Sequence, residues 1–153
     1  MSTPSIESIL ARHPFFQEIA PAELGAIIEH ARLISFEPGR LIFHQGEPAA
    51  QLFLITEGKV SLEVFAPQRG PILLMTLGPE DVLGWSWLFP PYRWHLDARA
   101  LEPTQAIAID GARLRERCEA NHELGYQLMR HSVGVIEQRL QAALLQLVDL
   151  YGK

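Results

Sequence analysis

FEPGRLIFHQGEPAAQLFLITEGKVSLEV, residues 36–64, decides the fold. Pro38-Gly39, Gly46-Glu47 and Glu57-Gly58 are turn signals, and each stands between short apolar runs. RLIFHQ, QLFLIT and KVSLEVFA therefore read as consecutive strands. LISFE precedes them, and ILLMTL and AIAID follow, with Leu77-Gly78-Pro79 as a further break. In KVSLEVFA, Val60, Leu62 and Val64 alternate with Ser61, Glu63 and Phe65, and a period of two predicts one buried face. Many short strands at regular spacing predict an antiparallel sandwich or barrel.

Outward from this centre the pattern becomes helical. Toward the N-terminus, Ser5 or Ser8 suits a cap, and Pro21 suits the first turn of a helix AELGAIIEHA in which Leu24, Ile27 and Ile28 share one face. Toward the C-terminus, residues 111–151 read as helical, with Gly111 and Asn121 as candidate breaks. The expectation is one domain over 1–153: helices in 1–32, a β-roll in 33–110 and helices in 111–151. The fold class is mainly β with flanking helices, an antiparallel jelly-roll barrel plus a long C-terminal helix.

At 153 residues, 48% of them hydrophobic and 20% charged, the chain is large enough for one core and does not have a disordered composition. No apolar run approaches the ~20 residues of a membrane span, and MSTPSIESIL has neither the basic start nor the apolar stretch of a signal peptide. Cys118 is the sole cysteine, so no internal disulfide forms, which fits a reducing cytoplasm. The net charge of −5 argues against nucleic acid as partner. Arg113, Arg115 and Arg117 alternate with Glu116 and Glu119 and read as a solvated helix surface. The six histidines are scattered without His-x-His or His-x-x-x-His spacing, so no metal site and no catalytic centre is expected, and Cys118 reads as an ordinary helix residue.

Pro38-Gly39, Ile42, Gly46-Glu47, Phe53-Leu54-Ile55, Gly58, Val60, Gly78 and Asp81-Val82-Leu83-Gly84 occur in the order of one family, except that Pro79-Glu80 precedes Asp81. The chain resembles, over roughly residues 14–150, the cyclic-nucleotide-binding domain of the catabolite activator protein and its relatives. The resemblance implies an eight-stranded jelly roll, a long C-terminal helix that pairs with its twin, and a phosphate-binding segment just after Gly84. In the family that segment holds a short helical turn with free N–H groups, a glutamate for the ribose hydroxyl and an arginine for the phosphate.

Here the segment is Gly84-Trp85-Ser86-Trp87-Leu88, then Phe89 to Tyr92, then Arg93-Trp94-His95. Trp85 stands in the glutamate position. Counting back from Arg99-Ala100, Trp94 falls in the arginine position, with His95 next and Arg93 one position away. Losing a charged acceptor removes ~1.5–3 kcal/mol, and losing the guanidinium removes bidentate phosphate recognition. From Val133 onward there is no Ser or Thr to meet a purine. Cyclic AMP and cyclic GMP are therefore not expected as ligands, and no cofactor is expected. Three readings of the aromatic segment remain open: rings that plug the former pocket, an altered pocket in which Arg93 or His95 holds a carboxylate or phosphate, and an exposed partner-binding patch.

In the C-terminal helix Leu140, Leu144, Leu147 and Tyr151 follow spacings of four, three and four, an a/d seam that predicts a homodimer. Leu145, Val148 and Leu150 widen the apolar surface. The family's DNA-reading domain is not within these residues, so no direct DNA contact is expected. The functional expectation is a bacterial, cytoplasmic, stand-alone regulatory domain with a degenerate phosphate-binding segment. It would sense an unidentified small ligand and signal to a protein partner. The alternative is a protein-interaction module that has lost small-molecule binding.

Overall fold

The computed structural model describes residues 5–152. Residues 1–4 and 153, which the single-domain reading includes, lie outside the described residues. Three short helical elements lead in. These are α1 (Ile6–Arg12), capped by Ser5 Oγ accepting from Ser8 N at 3.1 Å, a 3₁₀ turn (Pro14–Phe16), and α2 (Pro21–Glu29), which starts on Pro21. Eight strands follow: β1 (Ala31–Phe36), β2 (Leu41–Phe43), β3 (Gln51–Glu57), β4 (Val60–Ala66), β5 (Gly70–Leu77), β6 (Val82–Leu83), β7 (Asp97–Ala100) and β8 (Thr104–Asp110). Two helices close the chain, α3 (Gly111–Ala120) and α4 (His122–Tyr151). Asn121 is the break between them, its side chain accepting from Glu123 N and Leu124 N.

The strands form two four-stranded antiparallel sheets, ordered β1-β8-β3-β6 and β2-β7-β4-β5. This is the expected jelly roll. β3 and β8 are apolar on both faces because both faces are covered. Phe53 and Ile55 point between the sheets with Ala106 and Ala108, while Leu52, Leu54, Ile107 and Ile109 point to the helices. The inter-sheet core alternates large and small. Ala98, Ala100, Ala106 and Ala108 leave room that Phe36, Phe43, Phe53 and Trp94 fill. The second core lies under the helices and joins Leu10, Phe15, Phe16, Ile27, Leu114, Leu124 and Leu128 to Trp87.

Several expectations need correction. β6 is two residues long and β7 carries Asp97 and Arg99, so neither shows an apolar run, and both escape pattern reading. β4 does not have one buried face: Val60 and Leu62 are buried inward, yet Ser61 and Glu63 are buried outward. They satisfy each other, Ser61 Oγ donating to Glu63 Oε2 at 2.6 Å and Arg99 Nε donating to Glu63 Oε1 at 3.3 Å. Beside Glu63 in register, Asp97 accepts from Gln45 N at 2.7 Å and pairs with His44 Nδ1 at 2.7 Å. The basic run on α3 is not simply solvated. Arg113 does pair at the surface with Glu116, but Arg117 grips Glu23 of α2 through two N–H groups, and Arg115 reaches the loop described below.

Gly58 shows why this turn requires glycine. At φ +101° a Cβ would lie 2.4 Å from Thr104 Oγ1 and 2.6 Å from Thr104 Cα, so the turn that carries the chain from β3 in one sheet to β4 in the other closes only without a side chain.

Candidate functional site

Residues 84–96 connect β6 to β7 across the mouth of the roll. The connection holds turns and no helix, with Leu88 N donating to Trp85 O at 3.0 Å. Gly84 sits at φ +100°, and a Cβ there would lie 2.6 Å from two ring atoms of Trp94. Trp94 has folded inward over it. It is 5% exposed and stacks on Phe43 with ring centroids 3.8 Å apart and planes 8° from parallel. Its backbone is pinned to the β2–β3 turn, Trp94 N donating to Glu47 O at 3.0 Å and Gly46 N donating to Trp94 O at 2.9 Å. The position expected to hold a phosphate-binding arginine thus supplies an indole to the inter-sheet core.

The sequence-predicted residues divide between two places. Gly84, Trp85, Ser86, Trp94 and His95 line one cavity of about 50 Å³ whose walls are otherwise Phe43, Leu62, Leu96 and Arg139. Trp87, Leu88 and Arg93 are not at that cavity. Trp87 is 0% exposed in the core beneath the helices, with its Nε1 lacking a partner among the described residues, and Leu88 packs on the same side. The turn after Ser86 sends Trp87 and Leu88 to the side opposite Gly84, Trp85 and Ser86. Arg93 turns out to the β2–β3 turn, where Nη1 donates to Gly46 O at 2.7 Å. It does not line the cavity. The loop is fastened to α3 by Arg115, whose Nη1 donates to Trp87 O and whose guanidinium carbon lies 4.1 Å from the Tyr92 ring centroid.

The residue that sequence reading missed is Arg139. It comes from α4, lines the cavity, holds Val82 O by a hydrogen bond and lies over Trp85 with its guanidinium carbon 5.3 Å from the ring centroid. It makes no ion pair among the described residues. Burial lowers its pKa from the usual arginine range to about 10, opposed by the charge of Asp81. A signal was present. Leu124, Leu128, Ser132 and Val135 form the inward face of α4 at helical spacing, and Arg139 continues it by four residues.

The opposite face of α4 is bare. Leu140, Leu144, Leu147 and Tyr151 are each about half exposed or more, as are Leu145, Val148 and Leu150. The only anchor among the described residues near this end is Gln146 Nε2 donating to Leu74 O at 3.0 Å. The helix therefore does not fold back to bury its apolar surface within the chain. Upstream, Tyr126, Met129 and Val133 are also exposed. Cys118 is half-buried, and its thiol is pushed up to about 11 by burial and then by Glu119 and Glu23, so it is not a reactive thiol. Among the described residues no three His, Cys, Asp or Glu side chains converge as a metal site, and no helix is long and apolar enough to cross a membrane.

Comparison with known proteins agrees with this architecture. Residues 33–121 match the model of the cyclic nucleotide-binding domain. A CRP-like cAMP-activated global transcriptional regulator of Mycobacterium tuberculosis is 30% identical over 145 residues, covering 95% of this chain and 63% of that protein. The chain thus spans less than two thirds of that regulator's length. The cyclic AMP receptor protein of Thermus thermophilus is 30% identical over 98 residues, covering 63% of this chain and 44% of that one. Among solved structures, a candidate cyclic nucleotide-binding protein from Geobacter metallireducens superposes with a TM-score of 0.79 at 31% identity, covering 90% of this chain and 99% of that one.

Proposed function

This chain belongs to the cyclic nucleotide-binding domain family, and we propose that it is a regulatory member whose nucleotide place has been remodelled to exclude cyclic nucleotides. The observation that carries this reading is Trp94, stacked on Phe43 at 3.8 Å in the inter-sheet core. A purine nucleotide entering there would have to displace a buried indole, and it would meet neither the family's glutamate, replaced by Trp85, nor its arginine. Each lost charge-assisted bond weakens binding by about tenfold to a hundredfold. What remains is a small apolar cavity between the roll and α4, closed by Trp85 and Arg139.

In this reading the domain is not an enzyme and acts in the cytoplasm. A ligand smaller than a nucleotide occupies the cavity, and because Arg139 belongs to α4, occupancy is coupled to the position of that helix. The exposed Leu140, Leu144, Leu147 and Tyr151 support a homodimer through α4, since a two-fold pairing of identical helices is the commonest way to cover such a face. A second reading, an interaction module that binds no small molecule, is favoured by the size of the cavity and by the length of the bare α4 face.

The test is fluorescence anisotropy with a fluorescent cyclic AMP analogue. The reading predicts no saturable binding to the natural chain below about 1 mM, where the binding free energy has fallen to about 4 kcal/mol. A low-micromolar dissociation constant overturns it.

A further inference from the structure

A buried cation is normally paired, because burial removes the water that would otherwise stabilise it. Half-buried Arg139 has no such partner among the described residues; Arg115, also part-buried, has none either, but of the two Arg139 is the one that lines a cavity. Its guanidinium holds one carbonyl, Val82 O, and lies against Trp85, yet no carboxylate of the described residues pairs with it. Asp81 is near enough to be felt, but its Oδ2 accepts from Gly78 N at 2.8 Å and closes its own turn. A guanidinium has five N–H donors in a planar fork, so several remain for a further acceptor.

The cavity that Arg139 borders states what else such an acceptor must carry. Phe43, Leu62, Trp94 and Leu96 make its walls apolar, so the body of the ligand is apolar. Its volume of about 50 Å³ is about a third of the ~150 Å³ cavity that admits benzene, so that body is a few carbon atoms. A planar two-oxygen anion fits the guanidinium fork. A phosphate dianion would bring more charge than one arginine offsets, with Asp81 repelling it.

We infer that Arg139 and the cavity beneath Trp85 form a binding site for a short-chain monocarboxylate, with the carboxylate on the Arg139 fork and the alkyl group against Trp94 and Leu96. This deepens the reading of a remodelled nucleotide place and rests on it. Because the guanidinium is part of α4 and the alkyl wall is part of the roll, the bound acid bridges the two bodies whose relative position the domain would report.

The experiment is a titration of the full chain with sodium acetate, propionate and butyrate, against sodium chloride at matched ionic strength and against inorganic phosphate. Calorimetry and intrinsic tryptophan fluorescence are the readouts. Expected is saturable binding by propionate or butyrate in the millimolar range (about 0.1–10 mM) for so small a ligand, with chloride and phosphate silent. Arg139→Gln should weaken that binding by at least about tenfold. Arg139→Lys, which keeps the charge and replaces the fork, should weaken it less and serves if the first variant does not fold. No saturable response to any of the three acids up to about 50 mM, some five times the weakest expected constant, overturns the inference, as does phosphate binding as tightly as butyrate or full affinity in the lysine and glutamine variants alike. Cyclic AMP added to the same protein separates the two claims. Silence from every acid together with silence from cyclic AMP removes the carboxylate site and leaves the remodelled pocket. Micromolar cyclic AMP binding removes both.

Discussion

Trp94→Ala should be one of the most destabilising single changes in the β-roll, and the structure sets its size. The ring is 5% exposed and shares its face with Phe43 at 3.8 Å and with Phe53 at 6.5 Å. Truncating a buried Trp or Phe to alanine costs about 3–5 kcal/mol, and the stacked pair places this one toward the upper end. Against a typical total of about 5–15 kcal/mol, that is a large share. For a domain of this size each kcal/mol moves Tm by about 2–4 °C, so thermal unfolding followed by circular dichroism should show a fall of about 8–20 °C. The variant also leaves an indole-shaped void. Free indole at a hundred times its dissociation constant would return about 2.7 kcal/mol by mass action, a recovery of about 5–11 °C. Trp85→Ala is the internal control. Its ring is half-buried, so its Tm should fall by less than half as much. A drop of under about 2 °C for Trp94→Ala, at most about one kcal/mol, refutes the claim that this indole is a core residue. So does an equal loss for Trp85→Ala.

Gly84→Ala should lower stability by more than about 2 kcal/mol in chemical denaturation, because its Cβ meets Trp94 at 2.6 Å and φ is +100°; a neutral result would mean that Trp94 is free to move. Cys118, with its thiol held at about 11, should react with iodoacetamide at pH 8 roughly a hundredfold more slowly than free cysteine, and the rate should climb as pH rises toward 11. The double variant Leu140→Asp, Leu147→Asp should convert a dimer to a species near the 17.2 kDa of one chain in light scattering at micromolar concentration; a natural chain already at that mass, or a variant still dimeric, rejects the α4 seam.

The turns made most of the fold legible. Gly39, Gly46, Gly58 and Gly84 all have positive φ, so the sequence marks them by the one residue that adopts it freely. Asn121 and Pro21 announce helix starts through side-chain and ring chemistry that needs no tertiary context. What escaped was decided by contacts between distant residues. Ser61 and Glu63 look like a solvated face, and they are buried because each finds a polar partner, with Arg99 supplied by β7. Trp85, Trp87 and Trp94 look like one aromatic cluster, and the loop sends them to a rim, to the helix-side core and to the inter-sheet core. Arg139 belongs to the candidate site although it lies 45 residues beyond Trp94, because α4 lies against the mouth of the roll. Its inward helical spacing was readable, but its target was not.

The most direct test of the remodelled pocket is a nitrogen–proton correlation spectrum of the three indole N–H groups during addition of cyclic AMP, each resonance assigned by Trp→Phe substitution. If Trp94 fills the nucleotide place, its resonance and that of Trp85 stay where they are up to about millimolar nucleotide, a concentration at which binding would be worth only about 4 kcal/mol. A saturable shift of the Trp94 resonance at micromolar nucleotide would show the indole leaving the core to admit the ligand, and would contradict the account.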